Sequence, residues 1–225
     1  MPGKIFVVST PIGNLKDISF RAIETLKEVD FILCEDTRVT SILLKHYSIS
    51  KELISFNAVT ESKKIPYVIE RIKNGENCAI VTDSGTPLIS DPGVRLISLA
   101  LNDSIEIVPV PGASALLAAL TISGLPTDSF VFEGFLPQKK GRQKKLKELS
   151  EEKRTIIIYE SPFRIEKLLN ELNEYMPERF VVVCRELTKK FEETWRGYPK
   201  DLLESFDEKV VKGEFVIIIA PINFK

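Results

Sequence analysis

Short apolar runs, most of them rich in β-branched residues, recur along this chain, and each ends in polar, proline or glycine residues. Ile5-Phe6-Val7-Val8 runs into Ser9-Thr10-Pro11-Ile12-Gly13-Asn14, and Phe31-Ile32-Leu33-Cys34 into Glu35-Asp36-Thr37-Arg38. Ala79-Ile80-Val81 precedes Asp83-Ser84-Gly85-Thr86-Pro87-Leu88-Ile89-Ser90-Asp91-Pro92-Gly93, and Ile105-Glu106-Ile107-Val108 precedes Pro109-Val110-Pro111-Gly112-Ala113-Ser114. Thr155-Ile156-Ile157-Ile158 leads to Tyr159-Glu160-Ser161-Pro162, and Phe180-Val181-Val182-Val183-Cys184 to Arg185-Glu186-Leu187-Thr188-Lys189. Runs of this kind read as strands buried on both faces, the condition of a parallel sheet covered by helices. Unusual chemistry at so many outgoing ends implies one crevice built from several loops.

Helical patterns lie between the runs. Phe20, Ile23 and Leu26 recur at helical spacing behind Asp17 or Ser19 as a cap. Ile65, Val68, Ile69 and Ile72 form one stripe within Glu61 to Asn74, Gly75 supplies a stop, and Pro66 fits only a first turn. The segment Ser114 to Ser123, dominated by Ala and Leu, predicts a helix buried on most sides. From Phe130 the pattern changes. Phe130-Val131-Phe132, Ile156-Ile157-Ile158, Val181-Val182-Val183 and Val216-Ile217-Ile218-Ile219 are joined by helices, one carrying Ile165, Leu168, Leu169 and Leu172, and Glu193 to Gly197 reads as an exposed strand. The expectation is an α/β protein of two domains. Residues 1–113 would form a mostly parallel, doubly wound sheet and residues 114–225 a mixed α/β sheet.

The segment Asp83 to Gly93 admits two readings. One is a turn before a helix, with Asp91 as N-cap and Pro92 at the first helical position. The other is a ligand loop at the carboxyl end of a strand, which accounts better for the crowding of small residues and proline from Asp83 to Pro87.

Charge narrows the partners. With 31 Lys+Arg against 32 Asp+Glu, the net charge of −1 gives no general affinity for nucleic acid, so any polyanion must be held by a local patch. Lys139-Lys140-Gly141-Arg142-Gln143-Lys144-Lys145-Leu146-Lys147 places six cations in nine residues, directly after Glu133-Gly134-Phe135-Leu136-Pro137. That run is either a solvated helix face or an RNA contact. No apolar run approaches the roughly 20 residues of a membrane span, and no signal peptide pattern opens the chain, so a cytoplasmic location is expected. Cys34, Cys78 and Cys184 read as buried and reduced, and the single histidine, His46, excludes His-based zinc sites and reads as a helix-end residue. Neither GxGxxG after the first strand nor GxxxxGK[ST] is present, which removes the standard dinucleotide fingerprint and the P-loop.

Taken in order, Ser9 to Ile18, Glu35 to Arg38, Asp83 to Gly93, Pro109 to Ala115, Glu133 to Pro137, Tyr159 to Ser161 and Arg185 to Lys189 resemble the motifs of a known family. The resemblance is to the bacterial 16S rRNA (cytidine) ribose 2′-O-methyltransferases of the tetrapyrrole methylase superfamily, and it runs from residue 4 to about residue 220. One segment departs: where that family usually shows His-x-His-Asn-Glu, this chain has Asn57-Ala58-Val59-Thr60-Glu61. The resemblance implies a homodimer of two-domain subunits, S-adenosyl-L-methionine (SAM) in a cleft between domains, and no metal. It places the cofactor against Pro11, Thr86, Ile89, Ser114, Ala115, Tyr159 and Ala220, with Asp83 as a polar contact.

Methyl transfer to a ribose hydroxyl needs positioning, a desolvated pocket and a group that takes the proton. Candidate bases are Glu35, Asp36, Glu160, Glu186 and Lys189, with Glu35, Asp36 and Lys189 favoured. Arg38 and Arg185 suit bidentate phosphate contact, joined by Lys139, Lys140, Arg142 and Lys144 on the cationic run. The function expected is SAM-dependent 2′-O-methylation of a cytidine in the decoding region of 16S rRNA within the 30S subunit. The alternatives are a methylase of a tetrapyrrole or another small molecule, and a non-catalytic RNA-binding protein of ribosome assembly.

Overall fold

The computed structural model describes residues 2–206 and 212–224. The chain divides into two compact units, Met1–Ser114 and Ala115–Lys225.

In the first unit, strands β1 (Lys4–Val8), β2 (Phe31–Cys34), β3 (Glu52–Ser55), β4 (Cys78–Ile80) and β5 (Glu106–Val110) alternate with helices α1 (Phe20–Glu28), α2 (Thr37–His46), α3 (Glu61–Lys73) and α4 (Val94–Asn102). All strand pairings are parallel, in the order β3-β2-β4-β1-β5. The chain steps outward from β1 through β2 to β3, then returns to insert β4 between β2 and β1. Right-handed crossovers in opposite directions place their helices on opposite faces. Accordingly Ala22, Leu26 and Leu44 of α1 and α2 pack with Ile32, Cys34 and Ala79 on one face. Ile65, Val68, Ile72, Leu96 and Ala100 of α3 and α4 pack with Ile5, Phe31 and Leu33 on the other. β1 and β4, adjacent in the sheet, send their connections to different faces, so a topological switch point opens at their carboxyl ends.

Three local expectations differ. The buried face of α1 is Ala22, Thr25 and Leu26, and Phe20 is 87% exposed, because the Ser19 cap, accepting from the Ala22 N–H, makes Phe20 the outward first residue. Pro66 is the sixth residue of α3 rather than part of its first turn. The carbonyl it leaves without an N–H partner is that of Ser62, on the exposed side of the helix. β3 escaped the pattern because it is a four-residue edge strand, ELIS, with only Ile54 buried.

The second unit contains α5 (Ala115–Ser123), β6 (Phe130–Phe135), α6 (Arg142–Ser150), β7 (Thr155–Glu160), α7 (Ile165–Tyr175), β8 (Val181–Arg185), β9 (Glu193–Gly197), α8 (Pro199–Glu204) and β10 (Phe215–Ile219). Its sheet has the order β6-β7-β10-β8-β9, parallel between β6 and β7 and antiparallel elsewhere. β6, β7 and β8 therefore share one direction, and their outgoing loops leave the same edge. Ile165, Leu168, Leu169 and Leu172 bury the apolar stripe of α7 against Ile156, Ile158, Val181 and Ile217. On α5 only Ala119, Leu120 and Ser123 are buried, while Leu117 and Ile122 are exposed, so the helix is covered on one face and not on most sides. The three cysteines are buried and free. Among the described residues no helix is long and apolar enough to cross a membrane.

Candidate functional site

The loops that follow β1, β4 and β5 are tied together by short polar contacts. Thr10 and Gly85 exchange backbone hydrogen bonds of 2.8 and 3.2 Å, and the Thr10 hydroxyl donates to the Thr82 carbonyl at 3.0 Å. The Ser9 hydroxyl reaches Thr86 Oγ1 at 3.3 Å, and that hydroxyl reaches the Ala113 carbonyl at 3.2 Å. A Cβ on Gly112 would stand 3.0 Å from Ser9 Cβ, so only glycine permits this approach without displacement. Between Gly85 and Gly93 the backbone turns left-handed four times, at Gly85, Leu88, Ser90 and Gly93. Left-handed Leu88 and Ser90 cost about 1–3 kcal/mol each, a strain that clusters at ligand sites. α4 starts at Val94 with Gly93 as its cap residue and no side-chain cap. Asp91 is thus not the N-cap, nor Pro92 the first helical residue; the Asp91 carboxyl bonds with Thr82 instead.

Four carboxylates gather at the outgoing ends of β2 and β4. Burial, together with Asp83, Asp91 and Asp36, raises the pKa of Glu35. Burial also raises Asp83 and Asp91, each with a carboxylate neighbour adding to the effect. Asp36 behaves oppositely: it caps α2 by accepting from the Arg38 N–H at 2.8 Å and receives the Arg38 guanidinium at 2.5 and 3.0 Å. Those bonds hold its carboxyl at about 2. Beside this cluster, Asn57 builds a turn by accepting from the Val59 and Thr60 N–H groups at 3.1 Å. Glu61, at the start of α3, has a buried Oε1 without a hydrogen-bond partner among the described residues.

In the second unit, Glu160 is a fully buried carboxylate at the end of β7. It receives Arg164 Nε at 2.7 Å and the Ser161 N–H at 2.8 Å, with Arg142 at 3.5 Å. Arg142 also pairs with Glu171 at 2.7 Å and donates to the Pro137 carbonyl at 3.1 Å. Tyr159 meets Phe132 and Phe135 edge to face, with ring centroids 4.9 and 5.8 Å away.

Residues 4–202 match the family of tetrapyrrole (corrin/porphyrin) methylases. The chain belongs to the tetrapyrrole methylase family. Full-length relatives are close. A ribosomal RNA small subunit methyltransferase I from Thermotoga maritima is 44% identical over 218 residues, which is 97% of this chain and 98% of that one. Its counterpart from Synechocystis sp. is 46% identical over 220 residues, 97% of this chain and 79% of the relative. Among solved structures, uroporphyrin-III C-methyltransferase from Thermus thermophilus, in complex with S-adenosylhomocysteine, superposes with a TM-score of 0.68 at 16% identity, covering 97% of each chain. That likeness establishes the fold.

In this tetrapyrrole methylase the structure sorts the residues singled out by sequence. Thr86 and Asp83 lie on the tied loops with Pro11, which is buried, and Ile89, which is exposed. Ser114 ends the first unit, and Ala115 opens α5 in the second. Tyr159 is one residue from the end of β7, whereas Ala220 follows β10 at the opposite edge. The antiparallel register sets Val216 beside Tyr159, leaving Ala220, fully buried and with its carbonyl bound by Arg179, about 13 Å along the strand.

Four further assignments are corrected. Arg142 does not face RNA: it is 3% exposed and committed to Glu160 and Glu171. Arg185 is buried, donating to the Lys212 carbonyl at 2.7 Å and pairing with Glu193 at 3.3 Å, which leaves it no fork for phosphate. Lys189 is not a lowered-pKa base. Burial alone would lower it, but ion pairs to Glu186 at 2.8 Å and Glu214 at 3.0 Å prevail and raise it. Asp36, held at about 2, is a weak base, and Glu160 and Glu186 are likewise engaged in ion pairs. Lys139, Lys140 and Lys144 stand exposed, as does Arg38 beside Asp36. The grouping of Asp91 with Glu35 had no sequence signal, because their strands become neighbours only through the insertion of β4.

Proposed function

We propose that this tetrapyrrole methylase transfers a methyl group from SAM to the ribose 2′-oxygen of a cytidine in the decoding region of 16S rRNA, acting on the 30S subunit as a homodimer. The observation that carries the reading is the 44% identity, across nearly the whole of both chains, to a protein named ribosomal RNA small subunit methyltransferase I. The residues present fit the cofactor. Gly112 and Gly85 let the loops after β1, β4 and β5 pack backbone to backbone at the strand ends, and the surrounding carboxylates set a negative field that favours a cationic sulfonium.

When bound, SAM supplies an electrophilic methyl group. The chain then contributes position and a proton acceptor. Asp83, Thr86 and Ser114, with Pro11 and Ile89 beside them, would hold and orient the methyl donor. Glu35 takes the proton of the 2′-hydroxyl: burial and the neighbouring carboxylates raise its pKa, which makes it a stronger base, and, among the described residues, no ion pair or hydrogen bond occupies its carboxylate. Arg38 on the first unit and Lys139, Lys140 and Lys144 on the second are exposed cations that hold phosphates of the RNA.

The test is transfer of tritium from methyl-labelled SAM to 30S subunits of a strain lacking the modification, followed by nuclease mapping and mass spectrometry of the labelled nucleoside. The expected product is 2′-O-methylcytidine at one decoding-region position. Label at another nucleotide or on a base would overturn the assignment of site or atom. Binding of SAM without any transfer would favour an assembly factor over an enzyme.

A further inference from the structure

The outgoing edge of the second sheet carries an arrangement of aromatic rings that methyl transfer itself does not require. Each of the three strands that share a direction ends in a segment displaying an exposed phenylalanine: Phe135 at the end of β6, Phe163 after β7 and Phe191 after β8, at 53, 90 and 60% exposure. Rings this large are costly to leave in water, and three on one edge exceed ordinary scatter.

Their presentation is built in. A bulge between Phe132 and Gly134 shifts the register of β6 against β7. An unbroken strand would send Phe132 and Phe135 to opposite faces; with the extra residue both meet Tyr159. Buried Glu160 then braces two of the loops at once. Through Arg142, which holds the Pro137 carbonyl, it fixes the segment after Phe135, and through Arg164 it fixes the segment containing Phe163. On the third loop Lys190 lies over the Phe191 ring, 5.4 Å from its centroid. Lys139, Lys140 and Lys190 are exposed, and none has an ion-pair partner among the described residues.

We propose that Phe135, Phe163 and Phe191 form a stacking platform for unpaired RNA bases, with Lys139, Lys140 and Lys190 tracking the phosphates between them. The proposal rests on the reading of rRNA as the substrate and names a surface of the second unit that would hold unpaired nucleotides of that RNA. From β6 to β8 the edge crosses three strand spacings, ~14 Å, wide enough for more than one base. Aromatic faces flanked by lysines suit single strands, because every base has a π-face and every phosphate a charge. A protein partner would not need cations spaced among the rings.

The test uses the full chain and a short single-stranded oligoribonucleotide carrying 2-aminopurine, whose fluorescence is quenched when the base stacks. The double variant Phe163→Ala/Phe191→Ala should raise the dissociation constant ~10-fold or more and abolish the quench, while Phe163→Tyr and Phe191→Tyr keep both. SAM affinity by isothermal titration and the melting temperature should not change, since both rings lie outside the core. Unaltered affinity and quench in the double variant would overturn the platform. So would altered self-association in sedimentation with RNA binding intact, which would assign the rings to contact between copies. Stacking by a wild-type protein that labels no rRNA would leave the platform standing and sink the methylation reading instead.

Discussion

Glu35 and Asp36 are neighbours in the chain and opposites in chemistry. Asp36 points into the first turn of α2, where the Arg38 N–H and guanidinium stabilise its ionised form; Glu35 faces burial and three other carboxylates, which favour its protonated form. The sequence marks both as titratable groups at the end of a strand. It does not rank them, because the burial and the carboxylates of β4 that separate them arise only in the folded sheet. Glu35→Gln should therefore cut the single-turnover methylation rate by ~10²-fold or more with SAM affinity little changed. Asp36→Ala should lower the melting temperature by removing the α2 cap and leave the chemical step near the wild-type rate. The pH profile carries the sign: a base must be ionised, so the rate should climb as pH rises through a pKa above the ordinary glutamate range. A profile unchanged in Glu35→Gln would move the proton acceptor elsewhere.

At the scale of elements, most strands and the stripe of α3 were legible because their burial is written in short runs and helical spacing. What stayed hidden depends on strand order. Nothing local announces that β4 enters between β1 and β2, yet that insertion brings Asp83 and Asp91 to Glu35 and makes the switch point. The loop after β4 also misled by composition: Asp91-Pro92-Gly93 reads as a helix start, whereas Gly93 turns left-handed at φ 119° and α4 begins after it. The geometry predicts a graded response to a methyl group. At Gly93 a Cβ would lie 2.6 Å from Leu88 Cδ2 and 2.7 Å from Ile80 Cδ1, whereas at Gly124, also left-handed, it would meet nothing within 4 Å. Gly124→Ala should cost about 1 kcal/mol in urea unfolding, the strain alone. Gly93→Ala should cost about 2–4 kcal/mol and weaken SAM binding, because Leu88 and the strained turn must shift. Equal losses at the two positions would show that the loop yields freely.

For the whole molecule the question is how a chain of net charge −1 holds a polyanion. The cationic run answers it only in part, because folding divides its members. Arg142 goes inward to buried Glu160 and to Glu171, and Lys145 pairs with Glu133 at 2.7 Å. Lys139, Lys140, Lys144 and Lys147 remain exposed. The run is legible in the sequence and its division is not, since Glu160 and Glu171, which capture Arg142, lie 18 and 29 residues away. The two subsets should respond to charge removal in different currencies. Changing Lys139, Lys140, Lys144 and Lys147 to Glu should weaken 30S binding by ~10²-fold or more at low salt and flatten the dependence of log K on log salt by about one phosphate contact per cation, with the melting temperature nearly unchanged. Arg142→Met should do the reverse. Glu160 keeps Arg164 and the Ser161 N–H but loses one of its two cations, Glu171 loses its nearest partner and the Pro137 carbonyl its donor, at a cost of about 1–3 kcal/mol in unfolding free energy, while the salt slope of whatever remains folded keeps the wild-type value. A shallower slope in Arg142→Met at full stability would mean that its guanidinium reaches RNA after all, and that the ion pair to Glu160 opens when the substrate binds.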